Sequence, residues 1–169
     1  MLSVPTLWVV FVVNFVAIGV VWIYVVRSYP NFNAARFWMA AAFAAAAGAA
    51  ISMTRGFIDP QAHTLLLIPL LAGGTTLILA SCLAMMGVER FYGRPVSWRA
   101  SLLIAGLTCA GLTFFIWHDN MPMRILIYSL GQALPIVLTL KLLFSREGGH
   151  IKPGARMAGV IAVLMIAIY

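Results

Sequence analysis

Charge is the scarcest ingredient of this sequence. Only 9% of the 169 residues are charged, where a soluble domain carries about 25%. With 63% hydrophobic residues and a mean hydropathy of +1.02, no soluble core could hide the apolar surface, so a soluble fold is excluded. Cysteine is nearly as rare. Cys82 and Cys109 both lie inside apolar runs, without CxxC or Cys/His metal spacing, and read as buried thiols acting as small hydrophobes. Walker loops and the HExxH and GxSxG motifs are missing. No apolar run carries Asp, Glu, Lys, Arg or His near its centre. That argues against an ion-coupled pump or proton relay, and it removes the histidine pairs of an intramembrane haem.

What remains is a series of apolar runs, predicting an all-α, polytopic transmembrane bundle. Six segments are expected: Pro5 to Val26, Ala34 to Thr54, Leu65 to Val88, Ala100 to Trp117, Pro122 to Phe144, and Ala155 to Tyr169. The first lacks a basic n-region and is too long for a cleaved signal peptide. Tyr29 to Asn33 forms a turn, with Asn33 as N-cap of the second helix; Ser97 is placed likewise before the fourth. In the second segment Ala40, Ala44, Gly48 and Ser52 recur every four residues. Such a stripe lets two backbones approach closely, within the bundle or across a dimer seam. The third segment is interrupted by Pro69 and by Gly73-Gly74-Thr75-Thr76, either a structural kink or a ligand-lining break.

The basic residues stand singly between the apolar runs, which fits anionic lipid headgroups and topology control rather than nucleic acid. Arg27, Arg36, Arg90, Arg94, Arg99, Lys141, Arg146, Lys152 and Arg156 fall in odd-numbered connections, and only Arg55 and Arg124 in even-numbered ones. The positive-inside rule then puts the odd connections in the cytoplasm and the N-terminus outside. The loop from Gly87 to Arg99, with Arg90, Arg94 and Arg99 near lipid headgroups, becomes the cytoplasmic reference point. The sixth segment would span about 22 Å at 1.5 Å per residue, short of the roughly 30 Å of a bilayer core. Residues 1–169 are therefore expected to be a truncated sensor region, with a seventh helix and a cytoplasmic output domain to follow.

Intramembrane polar groups are few. Asn14, Thr75, Thr76, Tyr128 and Gln132 could give a small ligand its polar contacts within an apolar pocket, or could hydrogen-bond between helices. Asn14, near the middle of its segment, is expected to face other helices. Asp59, His63, His118 and Asp119 map to the outer surface, either as solvated loop residues or converging on an external ligand or metal. The five tryptophans lie mostly near segment ends, as interfacial anchors do.

Several stretches resemble the membrane sensor region of bacterial GGDEF-domain diguanylate cyclases. They are Val4-Pro5-Thr6-Leu7-Trp8, Asn14-Phe15, Arg27-Ser28-Tyr29-Pro30 through Ala35-Arg36-Phe37-Trp38, and Glu89-Arg90-Phe91-Tyr92-Gly93-Arg94-Pro95. The resemblance implies a multi-pass protein of the bacterial inner membrane, a homodimer, and a downstream domain that joins two GTP molecules into cyclic di-GMP. The GGDEF motif is absent from residues 1–169, so catalysis, GTP and Mg are expected only of that later domain. No catalytic residue, cofactor or metal is assigned to this segment. The alternatives are a small permease or channel for a neutral solute, with its path at Gly73-Gly74 and Gln132, and the sensor region of a histidine kinase. Ser97→Cys should react with an impermeant thiol reagent only from the cytoplasmic face. Reaction from the periplasmic face would reverse the orientation.

Overall fold

A computed structural model of the chain describes residues 4–58, 63–118 and 120–144, with side chains over 6–58, 67–118 and 120–144. Its elements are α1 (Val4–Ser28), α2 (Asn33–Met53), a 3-10 turn (Thr54–Phe57), α3 (His63–Phe91), α4 (Trp98–Trp117) and α5 (Met121–Leu143). All five α-helices are long and apolar enough to cross a membrane, and no strand occurs among the described residues. The expected segments agree with them to within three residues. The expected sixth, 155–169, lies outside the described residues, so the expected six become five here.

The bundle is assembled at glycines. Gly48 of α2 and Gly73 of α3 face each other so closely that a Cβ on Gly48 would stand 2.9 Å from Leu77 Cγ and 3.1 Å from the Gly73 carbonyl oxygen. A Cβ on Gly73 would meet the Gly48 carbonyl and Ser52. Gly48 and Ser52 of the small-residue stripe thus make a contact within the bundle. Toward the other end of this pair, Trp38 lies over Gly87 and donates its Nε1–H to the Ala84 carbonyl at 3.3 Å.

The remaining helices join this pair by the same means. Phe43 of α2 lies against Gly19 of α1, its ring 2.8 to 3.0 Å from where a Cβ would be. Gly131 of α5 abuts Thr108 of α4 and Ile78 of α3, and Gly111 of α4 abuts Ile127 of α5. These pairings make α1–α2, α2–α3, α3–α4 and α4–α5 antiparallel, as short connections require. Ile78, Cys82 and Ala105 form the central apolar cluster, with Ile104 and Tyr128 packed on it. Trp22, Phe32, Trp38 and Phe91 interlock near the α1–α2 and α3–α4 connections, with ring centroids 4.9 to 6.1 Å apart. Trp38 is therefore a contact between helices and not only an interfacial anchor, whereas Trp98 and Trp117 are exposed.

The basic loop has a defined geometry. Gly93, at φ +71°, ends α3: its N–H bonds the Arg90 carbonyl and that of Arg94 bonds the Glu89 carbonyl, the paired bonds of a Schellman motif. Glu89 then clamps the start of α4, accepting from Ser97 N at 2.8 Å and from Ser97 Oγ at 2.5 Å. Ser97 does occupy the N-cap position, but its hydroxyl donates to Glu89 and caps nothing. Asn33 is the first residue of α2 and not its cap; Phe32 holds that position. The side-chain cap that sequence inspection missed is Asn120, which accepts from Met123 N at 3.2 Å.

Gly48→Leu is expected to lower the unfolding midpoint of the purified protein, since overpacking costs about 1–3 kcal/mol. Ala47→Leu, on an exposed face of the same helix, should leave it nearly unchanged. Equal midpoints would contradict the Gly48–Gly73 contact.

Candidate functional site

The placement of α1 and α5 creates a long concavity. α1 packs chiefly on α2, while α5 packs on α3 and α4. Between α1 and α5 runs a groove of about 950 Å³, floored by α2 and α3. Its α1 wall is aromatic, with Trp8, Phe11, Phe15 and Trp22; the α5 wall carries Tyr128, Gln132, Pro135 and Thr139. A volume of this size is within the range of sites for small organic ligands.

One polar cluster lies on this surface. Gln132 is 4% exposed; its Oε1 accepts from Ser81 Oγ at 2.5 Å and its Nε2 donates to Tyr128 Oη at 3.3 Å. Ser81 also approaches the Leu77 carbonyl at 3.3 Å. The spacing of Tyr128 and Gln132, one turn apart on α5, puts both on the same face, opposite Ser81 of α3. The sequence pointed to Tyr128 and Gln132 by their depth in an apolar run. Ser81 carried no comparable signal: a helical serine hydroxyl can bond its own helix, and only the tertiary pairing gives it a second partner.

The other expected contact residues are elsewhere. Thr75 Oγ1 donates to the Leu71 carbonyl at 2.6 Å and Thr76 Oγ1 to that of Ala72 at 2.6 Å, so their hydroxyls are satisfied within α3. Despite Pro69 and Gly73-Gly74, α3 is one continuous helix, so the expected interruption is not a break in the helix. Gly73 is occupied by α2 and Gly74 is near Tyr128. Asn14 is exposed, which corrects its expected inward orientation: Phe15, Gly19, Trp22 and Val26 make the inward stripe of α1, and Asn14 falls one residue off it. Ser101, also missed, is buried between α3 and α4, and its Oγ has no partner among the described residues.

A second cavity of about 590 Å³ adjoins the groove near the N-terminal end of α1. Trp8, Leu77 and Tyr128 line both. Arg55, from the 3-10 turn, and Arg124, from the first turn of α5, line the smaller one. Arg124 donates its Nε–H to the Phe115 carbonyl at 3.2 Å. Of the outer loop residues, Asp59, Asp119 and the side chain of His63 lie outside the described residues. His118 Nδ1 is 2.9 Å from the Phe114 carbonyl. Among the described residues no three His, Cys, Asp or Glu side chains converge as metal ligands would. Arg90 and Arg99 of the basic loop are exposed and Arg94 is half-buried.

Comparison of the chain with family models, with curated proteins and with solved structures found no match.

The Gln132 bonds join helices that also pack through Gly131, so Gln132→Leu is expected to lower stability only by about 0.6–1.7 kcal/mol, the range for hydrogen bonds between membrane helices. Reversible unfolding in mild detergent measures this. A loss above about 3 kcal/mol, typical of a core cavity, would show the cluster to be a packing element and not a groove lining.

Proposed function

We propose that this chain is the membrane-embedded input domain of a signalling protein, in which occupancy of the α1–α5 groove sets the spacing of those two helices. The observation that carries this reading is the groove itself. Its walls belong to helices anchored on different partners, and a polar cluster lies in an otherwise apolar lining. A ligand that touches both walls favours one spacing over another, and only such differential affinity can shift a conformational equilibrium. The five spans carry no Asp, Glu, Lys, Arg or His near their centres, which supports detection over ion-coupled transport.

The proposed output is synthesis of cyclic di-GMP by a GGDEF domain beyond residue 169, acting as a homodimer on the cytoplasmic side of a bacterial inner membrane. The loop, tail and turn residues named for the family resemblance support this. GTP and Mg belong to that domain alone. The permease alternative takes its path at Gly73-Gly74 and Gln132; α3 is unbroken at the two glycines and Gly73 abuts α2.

The gene beyond codon 169 should encode a GGDEF domain. In cells expressing the whole gene, Gln132→Leu should change cyclic di-GMP several-fold at constant protein level. A kinase domain or a stop codon after Tyr169, or nucleotide levels unmoved by Gln132→Leu, would overturn this assignment.

A further inference from the structure

The floor of the α1–α5 groove is made of small side chains. Ala41 and Ala45 of α2 and Ala80, Ser81 and Ala84 of α3 lie between the aromatic wall of α1 and the wall of α5. Small residues on a helix surface let another backbone approach closely, so this floor is shaped for a further helix. Among the described residues nothing covers Leu7, Phe11 and Ile18 of the α1 wall, each about half exposed. Gln132 uses both ends of its amide on Ser81 and Tyr128, so it asks for no polar partner from whatever lies over it.

One stretch of the chain matches this surface in chemistry, length and position. Residues 157–168 carry no charged, hydroxyl or amide side chain. At helical spacing Ala155, Ala158, Gly159 and Ala162 share one face, the counterpart of the alanine floor. Residues 155–169 rise about 22 Å as a helix, and the α1 wall from Leu7 to Trp22 has the same length by the same rise. A cylinder about 10 Å across and 22 Å long encloses roughly 1,700 Å³. The groove of about 950 Å³ takes in about half of that and leaves the rest to lipid. Position follows from the connection. α5 ends at Leu143, one turn past Thr139, at the end of the groove lined by Trp22, Trp38 and Val88. Residues 145–154 reach about 33 Å when extended, enough to turn back, and consecutive helices usually pack side by side. From this we infer that residues 155–169 form a helix seated in the α1–α5 groove. It runs antiparallel to both walls with its small-residue face on α2 and α3, so that Ala158 is level with Ile136 and Ala162 with Phe15. The inference rests on the groove and deepens the proposed input function, because a helix held between both walls moves when their spacing changes.

Disulfide trapping of the full chain in membranes, with Cys82→Ser and Cys109→Ser as background, tests the seat from both walls. Ala162→Cys should join Phe15→Cys of α1, and Ala158→Cys should join Ile136→Cys of α5. Both should form at least tenfold faster than Ala162→Cys joins Leu102→Cys on the exposed face of α4. If a pair fails to fold, Ile166→Cys with Phe11→Cys, one turn further along, reads the same contact. Joining to neither wall would overturn the proposal, and so would equal rates with Leu102→Cys. Disulfides between two chains, seen as a band at twice the mass, would give the groove to a second copy instead. Labelling of the groove floor in the wild-type chain by a diazirine-bearing phosphatidylcholine would give it to lipid. The expected disulfides, together with cyclic di-GMP unmoved by Gln132→Leu, would reject the signalling assignment and leave the seat standing. Their absence, with cyclic di-GMP responding, would do the reverse.

Discussion

The contact between Gly48 and Gly73 is the constraint from which the rest of the bundle follows. Lipid is as apolar as a leucine side chain, so helices in a bilayer gain little from hiding hydrophobic surface and associate through close packing instead. With a Cβ excluded at both positions, α2 and α3 approach backbone to backbone and form a rigid central pair. Trp38 over Gly87 fixes its other end. α1 is then seated on α2 through Gly19 and Phe43, and α4 and α5 on the far side of α3 around Ile78 and Gly131. Two flanks attached to different members of one pair leave a space between them. The groove is a consequence of the spine.

A second constraint decides where polar atoms can go. Inside a membrane each hydroxyl or amide needs a partner supplied by the protein. Thr75, Thr76, Thr108 and Thr139 bond carbonyls of their own helices, which makes them structurally quiet. Gln132 cannot be satisfied that way alone, because an amide both donates and accepts; it reaches Ser81 on α3 and Tyr128 on its own helix. That difference separates a polar group that only packs from one that marks a surface. At the opposite end of α3, Glu89 binds Ser97 twice, so one of the few carboxylates orders the basic loop.

Hydropathy made the five spans legible because each is a long apolar run bounded by turn residues, and no boundary needed correction by more than three positions. The stripe through Gly48 was legible as a close-contact surface, since small residues at a spacing of four have few other uses in a membrane. Its partner was not, because the period marks a face and not what covers it. Asn14 was misplaced for a related reason: α1 is apolar all round, so its pattern offers no inward side, and the decisive contact is a single glycine against Phe43. Arg55 and Arg124 were legible only as exceptions to a charge rule. Their common cavity depends on two connections distant in sequence meeting at one end of the bundle.

The account rests on α1 and α5 standing apart across the central pair, and disulfide trapping in membranes tests this most directly. With Cys82→Ser and Cys109→Ser as background, Ile18→Cys on α1 and Ile136→Cys on α5 place thiols on opposite walls of the groove. The account predicts no cross-link under mild oxidation, while Gly111→Cys with Ile127→Cys, across the packed α4–α5 contact, does cross-link. Rapid disulfide formation between positions 18 and 136 would mean that the walls close on each other and that no groove exists.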